Sequence, residues 1–357
     1  MVSRRSLLGG FGGLLAGVPL AGAVPAAPPA PLAVPRGIVP GGTSMTPVSG
    51  ALSQLAVTGP AEVRLRTAAG WQPWRAASGC PAGPDGGSGR SARLLVPAAG
   101  ALEYEVRSPG GGPVDVLEVS ISDSPAGAST DLPLAAELSG FRPRYLNRAG
   151  WGADESYRYN PDGTLDTPPA FYPVQTLTVH HSGEDAPVAD PIAHIRAIYY
   201  NQAVTMDWGD IGYQLVIDEA GTVYEGTYSD ADRVPVFGPD PRHPQMVNGS
   251  HVGGFNAGNV GVCLLGNYMY GPPSRAALRS LTVVLALLAR ATGLDPLGTT
   301  NYVNPISGAT ATIATLAGHQ DWHNANPAAG ATLCPGDYLY AELPRLRQAV
   351  AVLSARR

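Results

Sequence analysis

Thr176-Leu177-Thr178-Val179-His180-His181-Ser182-Gly183 is the stretch around which the C-terminal part of the chain is organised. Its first four residues favour an extended strand, and two histidines follow where that strand ends. Because successive residues of a strand point to opposite faces of a sheet, only one of His180 and His181 can enter a given site. The stretch therefore predicts a strand that presents a single imidazole at its end.

Beyond this stretch, strand-like and helix-like patterns alternate. Further strands are predicted at Tyr213–Ile217 and at Val260–Leu265, and the second is nearly all apolar, as expected of a central strand. The predicted helices cover residues 191–203, the segment from the cap Ser274 to about Thr292 before Gly293, and residues 343–355 with Pro344 in the first turn. Residues 142–357 are therefore expected to form an α/β domain with a mixed central β-sheet flanked by helices.

The preceding residues show a different periodicity. Residues 46–122 alternate apolar with polar side chains between Gly and Pro clusters, which predicts a small all-β, sandwich-like domain. Trp71 and Trp74 lie between its strands and would suit a carbohydrate-binding face, but packing is the commoner role of tryptophan and no site is assigned. Residues 24–45 are rich in Pro, Ala and Gly and are expected to be flexible, and residues 123–141 are expected to be a linker.

The N-terminal residues carry a targeting pattern. Ser3-Arg4-Arg5-Ser6-Leu7-Leu8 and the apolar, Gly-rich residues after it resemble a twin-arginine export signal, with a small-x-small cleavage pattern at Ala21-Gly22-Ala23. A signal peptide over residues 1–23 is therefore predicted, and with it an extracytoplasmic protein. No later apolar run reaches the length of about 18 residues that a membrane span needs, so no stable membrane anchor is expected after cleavage.

Net charge and cysteine content limit the possible partners and disulfide bonds. The 357 residues have a formal net charge of -5 and no basic run beyond the leader, which argues against a nucleic-acid partner. The three cysteines are an odd number, so they cannot form a disulfide framework, although a bridge between Cys80 and Cys263 stays open. At least one thiol is left for another purpose.

Two later motifs supply metal-binding chemistry. Gly318-His319-Gln320-Asp321-Trp322 is followed by Thr332-Leu333-Cys334-Pro335-Gly336. One histidine of the first pair, His319 and the Cys334 thiolate would give a tetrahedral zinc ion three N/S ligands and leave one position for water. Three protein ligands with an open fourth position is the arrangement of catalytic zinc sites.

Five segments of the chain occur together and in the order found in a known family. They resemble the peptidoglycan recognition proteins and the type 2 N-acetylmuramoyl-L-alanine amidases, and the resemblance does not extend to residues 1–140. The segments are Asn147–Ala153, Thr178–Ser182, Asp207–Tyr213, Asn256–Val262 with Gly266–Tyr268, and Gly318–Trp322 with Thr332–Gly336.

The resemblance implies an activity and a role for each matching residue. It implies one zinc ion per chain held by His180, His319 and Cys334, with Tyr213 and Thr332 as catalytic residues and His251 and Asn256 as substrate contacts. Tyr213 would donate a hydrogen bond to the oxyanion, and Thr332 would position water or substrate. The implied reaction cleaves the amide between N-acetylmuramic acid and the L-alanine of the stem peptide, and the implied partner is peptidoglycan or its muropeptides, bound by a monomer.

Two alternatives remain open at this point. The first is a module that recognises muropeptides without cutting them, although recognition-only relatives commonly lack the cysteine matched by Cys334. The second is a structural zinc site with His323 as a fourth ligand. The interval between His319 and Cys334 is longer than the family's, with Asn324–Ala331 as an inserted loop, so His323 is also the substitute ligand. The remaining histidines, His181, His194 and His243, are expected to be structural or solvated.

Overall fold

The computed structural model describes ten stretches of the chain. They are residues 32–48, 52–77, 82–85, 93–121, 127, 129–132, 140–184, 188–230, 235–240 and 243–355. The expected signal peptide, residues 1–23, and Cys80 lie outside the described residues. Among the described residues, no helix combines the length and the apolar composition that crossing a membrane requires.

Two antiparallel sheets form the N-terminal part. The first consists of β1 (Leu32–Val39), β3 (Gln54–Thr58), β7 (Arg93–Pro97) and β9 (Val114–Ser120), in the order β1-β9-β3-β7. The second consists of β2 (Thr43–Met45), β4 (Ala61–Thr67), β5 (Gly70–Trp71), β6 (Arg75–Ala77) and β8 (Glu103–Arg107), in the order β2-β8-β4-β5 with β6 also on β4. Leu55 and Val116 of the first sheet share one core with Val63 and Tyr104 of the second, so the two sheets pack face to face.

Strand β1 occupies part of the segment 24–45 that was expected to be flexible, and residues 24–31 of that segment lie outside the described residues. It pairs antiparallel with β9 from Leu32 to Val39, and β2 follows within the same segment. The pairing register shifts between Pro35 and Gly37, and β1 lies at the edge of its sheet. Proline has no N–H to donate to a ladder, so an edge strand with a bulge is where a sheet tolerates it. High proline content alone was therefore a poor guide to this segment.

The C-terminal part is built on a seven-stranded mixed sheet. Its strands are β10 (Thr130–Asp131), β11 (Arg144–Leu146), β13 (Thr176–His181), β14 (Leu215–Ile217), β15 (Val223–Glu225), β17 (Asn259–Leu264) and β20 (Leu316–Gly318), in the order β10-β11-β15-β14-β17-β13-β20. Two smaller pairs join β12 (Phe171–Pro173) to β16 (Gln245–Val247) and β18 (Thr299–Val303) to β19 (Thr310–Ala314). β13 runs parallel to β17 and β20, whereas β14 and β15 are antiparallel.

Helices cover both faces of this sheet. The described α-helices are α1 (Arg148–Trp151), α2 (Pro191–Tyr200), α3 (Arg275–Thr292), α4 (His319–Ala325) and α5 (Asp337–Ser354), with 3-10 turns at Glu155–Arg158 and Pro327–Ala329 and a π-helical turn at Asn201–Thr205 after α2. α3 and α5 pack against Val179 and Val262 in one core. α2 packs against Val216 and Cys263 in a second core on the opposite face. The expected α/β architecture, with a mixed sheet between helices, is confirmed.

The boundaries of α3 were predicted well. Ser274 accepts a hydrogen bond from the Ala277 N–H at 2.9 Å, and Gly293 ends the helix in the left-handed conformation with φ of 71°. A hydroxyl acceptor satisfies one of the amide groups that a helix leaves unpaired at its start, and glycine enters the left-handed region without a steric cost.

The predicted start of the last helix was wrong. α5 begins at Asp337, two turns before the expected start, and Pro344 lies inside it. Its buried stripe of Leu339, Leu343, Leu346 and Val350 runs past Pro344, so packing offsets the missing hydrogen bond. The linker expected over residues 123–141 also contains β10, which adds an antiparallel strand to β11 at the edge of the sheet.

Candidate metal centre

The topology of the sheet brings His180 and His319 together. His180 lies at the end of β13, and His319 is the first residue of α4, directly after β20. Val179 pairs with Gly318 in parallel register, so the residues that follow them, His180 and His319, lie side by side. Their rings are 4.6 Å apart between centroids, and both side chains are buried.

Cys334 completes the cluster from the loop before α5. One ligand atom each of His180, His319 and Cys334 lies within 4.8 Å of the others. Within the described part of the chain this group does not include His323, the substitute ligand considered from the sequence. The inserted residues before Cys334 form the end of α4 and the turn Pro327–Ala329. Despite this insertion, the Cys334 thiol lies beside the two histidines.

Local hydrogen bonds hold Cys334 in place. Its N–H donates to Thr332 Oγ1 at 3.1 Å, and its carbonyl accepts from the Gln320 N–H at 2.8 Å. The N–H of His181 is directed at Cys334 Sγ at 3.4 Å. A donor aimed at sulfur favours the thiolate, which is the form that binds metals. Thr332, expected to act on water or substrate, thus contacts the backbone of the candidate ligand.

Close packing explains the glycine in the Pro-Gly sequence after Cys334. Gly336 has φ of +89°, and a Cβ there would lie 2.5 Å from the carbonyl carbon of Tyr268. Next to it, the Tyr338 N–H donates to the Tyr268 carbonyl at 3.0 Å. The Cys334 loop therefore packs backbone to backbone on the loop after β17, an approach that only glycine allows.

The donor set fits a zinc ion. Both ring nitrogens of His319 are buried and have no hydrogen-bond partner among the described residues. An unsatisfied buried polar atom costs about 1–3 kcal/mol, and a bond from one of these nitrogens to a metal ion would remove one such cost. His180 Nδ1 lies 3.6 Å from Cys334 Sγ. Tetrahedral zinc, with bonds of about 2.0 Å to nitrogen and about 2.3 Å to sulfur, separates two such ligands by about 3.5 Å.

His251 contacts the other nitrogen of His180. Its Nδ1 lies 3.0 Å from His180 Nε2, and its own Nε2 lies 2.9 Å from the Asn259 carbonyl. Burial, together with the neighbouring His180 ring, lowers the pKa of His251 well below its ordinary value, so the ring is neutral at pH 7. The expected substrate contact is 0% exposed in this structure and packs beside a candidate metal ligand.

Asn256, the second expected substrate contact, is also buried and hydrogen-bonded. Its Oδ1 accepts from the N–H groups of His251 and Val252, both at 2.8 Å. Its Nδ2 donates to the Gly83 carbonyl at 2.8 Å and to Asp85 Oδ1 at 3.1 Å. Gly83 and Asp85 belong to the N-terminal part of the chain. Nothing in the sequence indicated this contact, since the partners are more than 170 residues apart.

Tyr213 lies two residues before β14 and close to the cluster. Its ring centroid is 5.3 Å from that of His180, and the side chain is 6% exposed. The carbonyl of Tyr213 accepts from both the N–H and the hydroxyl of Thr227, which fixes the backbone there. Tyr213 thus lies beside the candidate ligand His180.

A buried hydrogen-bond chain that the sequence did not reveal supports the site. Trp322 Nε1 donates to Thr178 Oγ1 at 2.9 Å, and Thr178 Oγ1 donates to Asn259 Oδ1 at 2.7 Å. The chain ties α4, β13 and β17 together beneath the cluster. Alternation along β13 was the available signal, because it places Thr178 on the same face of the sheet as His180.

The other histidines lie outside the cluster. His181 Nδ1 accepts from the Tyr268 N–H at 3.2 Å, and His194 bonds to Glu184 and to Gln54 Nε2. His243 is exposed beside Asp240.

Part of the chain is similar to known proteins. Residues 170–337 match the family described as N-acetylmuramoyl-L-alanine amidase. The human N-acetylmuramoyl-L-alanine amidase is 34% identical over 156 residues, 43% of this chain and 23% of that protein. The endolysin of Klebsiella phage KP32 is 33% identical over 117 residues, 30% of this chain and 64% of the endolysin. The peptidoglycan-recognition protein SA of Drosophila melanogaster is 29% identical over 119 residues, 32% of this chain and 49% of that protein.

Two solved structures are also similar. Drosophila PGRP-LB aligns with a TM-score of 0.38 and 23% identity over 56% of this chain and 92% of that chain. Human PGRP-IBETAC in complex with glycosamyl muramyl pentapeptide aligns with a TM-score of 0.37 and 23% identity over 55% and 92%. The chain spans between 23% and 30% of the length of its mammalian amidase relatives. Residues 170–337, which carry the cluster of His180, His319 and Cys334, thus match the N-acetylmuramoyl-L-alanine amidase family.

Proposed function

We propose that the protein is an exported, zinc-dependent N-acetylmuramoyl-L-alanine amidase that hydrolyses the amide between N-acetylmuramic acid and L-alanine in peptidoglycan. The observation that carries the proposal is the buried group of two imidazoles and one thiol, in which His319 has two orphaned nitrogens. The family match and the relatives named as amidases support the choice of amide and polymer.

In this proposal His180, His319 and Cys334 hold the zinc ion. A zinc ion bound there would lower the pKa of a coordinated water to about 7 and polarise the scissile carbonyl. Tyr213, beside His180, donates its phenolic hydrogen to the carbonyl oxygen as negative charge develops there. Loss of one such donor costs about a hundredfold or more in rate. Thr332 holds the backbone of Cys334, so its hydroxyl orients the thiolate.

The buried carboxylate nearest in sequence to the histidine pair has a structural role. Glu184 accepts from Ser182 Oγ and the Gly266 N–H and bonds to His194. Burial acts to raise the pKa of Glu184, but the contacts with His194 and Ser182 outweigh it and hold that pKa below its ordinary value. Glu184 is therefore ionised at neutral pH and cannot supply a proton to the leaving amine.

The test compares two buried cysteines. Zinc content and amine release from purified peptidoglycan are measured for the wild type, for Cys334→Ala and for the matched control Cys263→Ala. Cys263 is a buried thiol of β17 outside the ligand group, so its loss leaves zinc and activity in place. We expect Cys334→Ala to lose both. Zinc and activity that survive in Cys334→Ala would overturn the ligand set, and zinc without amine release in the wild type would leave a muropeptide recognition module.

Export is proposed from the sequence alone. The pair Arg4-Arg5 and the apolar residues after it support a twin-arginine route, with cleavage after Ala23. N-terminal sequencing of the mature protein tests the cleavage site. Replacing Arg4 and Arg5 with lysine should retain the precursor in the cytoplasm, and unimpaired export would rule out the twin-arginine route. Gel filtration of the mature protein tests the proposed monomer.

A further inference from the structure

His251 is a buried imidazole in contact with the candidate zinc ligand His180. His251 bridges His180 Nε2, at 3.0 Å, and the Asn259 carbonyl, at 2.9 Å. It is 0% exposed, and its own backbone N–H is held by Asn256 Oδ1. A Cβ at Gly261 would lie 2.6 Å from His251 Cγ, so the ring rests directly on the backbone of β17.

These contacts fix which nitrogen of each ring carries a hydrogen. A backbone carbonyl only accepts, so His251 Nε2 must donate to Asn259. In a neutral imidazole the other nitrogen is then an acceptor, and His251 Nδ1 accepts from His180 Nε2. The lone pair of His180 therefore resides on Nδ1, the nitrogen that lies 3.6 Å from Cys334 Sγ.

We propose that His251 is a positioning residue, which sets the tautomer and the ring orientation of His180 so that Nδ1 faces the metal. The proposal rests on the proposed zinc-dependent function. In this role His251 does not contact substrate. It links the Asn259 carbonyl to His180 through two hydrogen bonds. Partners of this kind make a ligating imidazole more basic, and their loss typically weakens metal binding by about 10–100-fold.

Zinc affinity is the readout that separates positioning from bulk packing. Dissociation constants for zinc are measured by chelator competition for the wild type, His251→Leu and His251→Gln. Leucine fills the space without a polar atom, so we expect affinity to fall by about 10–100-fold. Glutamine offers one acceptor and one donor on the same group and should restore much of that loss. A leucine variant that binds zinc as tightly as the wild type would overturn the proposal.

Nitrogen-15 NMR of the zinc-loaded wild type provides a test that needs no variant. We expect His180 to show a metal-bound Nδ1 and a protonated Nε2, and the opposite assignment would overturn the proposal. Amine release is measured on the same sample. If zinc binds with this tautomer and no amine is released, the amidase proposal fails and the positioning role stands.

The Asp85 carboxylate binds the turn that carries Asn256. It accepts from the Asn256 N–H at 3.0 Å, from Asn256 Nδ2 at 3.1 Å and from the Ala257 N–H at 3.0 Å. The Gly83 carbonyl accepts from the same Nδ2 at 2.8 Å. Residues 82–85 thus engage both amide hydrogens of Asn256 and two consecutive backbone donors of the amidase domain.

We further infer that residues 82–85 occupy a subsite for an acidic or carbonyl group of the muropeptide, and that substrate must displace them. This inference rests on the proposed function and adds Asn256 to it as a substrate contact. A carboxylate held by three N–H donors has the hydrogen-bonding character of a stem-peptide acid group, and the two compete for the same donors. The N-terminal β-sandwich would then restrain the amidase domain to which it is fused.

Asp85→Ala tests this inference, with Asp131→Ala as the control. Asp131 is also in the N-terminal half of the chain, but it pairs with Arg142 at the surface, where both side chains are more than half exposed. We expect Asp85→Ala to bind muropeptides severalfold more tightly and Asp131→Ala to match the wild type. Binding that is unchanged or weaker in Asp85→Ala would overturn the inference.

Hydrogen exchange tests the hydrogen bonds of Asp85 without relying on amidase activity. The Asn256 and Ala257 amides should exchange faster in Asp85→Ala, because their acceptor is gone, whether or not the protein cuts peptidoglycan. Unchanged exchange at both amides would show that Asp85 does not hold them in solution.

Discussion

Arg148 and Asp210 form a buried ion pair in which Arg148 Nη1 lies 2.9 Å from Asp210 Oδ1 and Arg148 is only 4% exposed. Asp210 also accepts from the N–H groups of Ile211 and Tyr228. The pair therefore anchors the segment that leads into Tyr213. Arg158 Nε lies 3.5 Å from Asp210 Oδ2 as a second cation, but losing the closer Arg148 is still costly because water does not replace it in a buried site.

Replacing Arg148 with leucine should lower the free energy of unfolding by up to about 3–5 kcal/mol, the cost of a fully uncompensated charge, because Asp210 keeps Arg158 as a partner. Urea denaturation of the metal-free protein measures it. Arg142→Leu is the control, since Arg142 pairs with Asp131 at the surface and such pairs contribute about 0–1 kcal/mol. Equal losses in the two variants would show that the Arg148 site is not effectively buried.

Tyr213→Phe should lower the rate of amine release by about a hundredfold, because it removes one proposed donor to the oxyanion. The ring stays, so its packing against His180 is kept and zinc content should not change. Initial rates on purified peptidoglycan, together with zinc content, check this. A rate close to that of the wild type would remove Tyr213 from the catalytic residues.

Much of the centre could be predicted because its signals are local. The His180-His181 pair ends a recognisable strand, and His319 and Cys334 lie in short motifs that resemble a known family. The Ser274 cap and Gly293 stop define α3 for the same reason, since each acts within one turn of the helix.

The remaining features depend on contacts that sequence periodicity does not encode. Pro344 suggested a helix start, but the buried stripe of α5 carries the helix through it. Pro35 suggested a flexible segment, yet β9 supplies a partner for β1. The link from Asp85 to Asn256 spans 171 positions, and no local pattern predicts which loop will meet which turn.

Glu184 should make stability depend on acid pH. Its pKa in the folded protein is depressed: burial opposes this, and the contacts with His194 and Ser182 outweigh burial. The unfolded chain then binds a proton more readily than the folded one. The free energy of unfolding therefore falls as the pH drops below about 4.3, the pKa of a glutamate side chain in the unfolded chain. Glu184→Gln should reduce stability at pH 7, and its difference from the wild type should shrink through this window. Urea denaturation from pH 7 to pH 3 tests it, and a difference that stays constant with pH would exclude Glu184 as the source.

Gly336→Ala should show how much the packing of the Cys334 loop contributes to zinc binding. The residue has φ of +89°, and the added Cβ would lie 2.5 Å from the carbonyl carbon of Tyr268, so both the backbone angle and the contact must change. Because Gly336 is two residues from Cys334, we expect weaker zinc binding and a loss of stability of about 1–3 kcal/mol.

Gly253→Ala is the matched control for this variant, since a Cβ at Gly253 meets no atom within 4 Å. Chelator competition and thermal unfolding of both proteins make the comparison. If Gly336→Ala retained wild-type zinc affinity, the thiol of Cys334 would be held in place by contacts other than the close approach of its loop to Tyr268. Its hydrogen bonds to Thr332 and Gln320 would then suffice to position it.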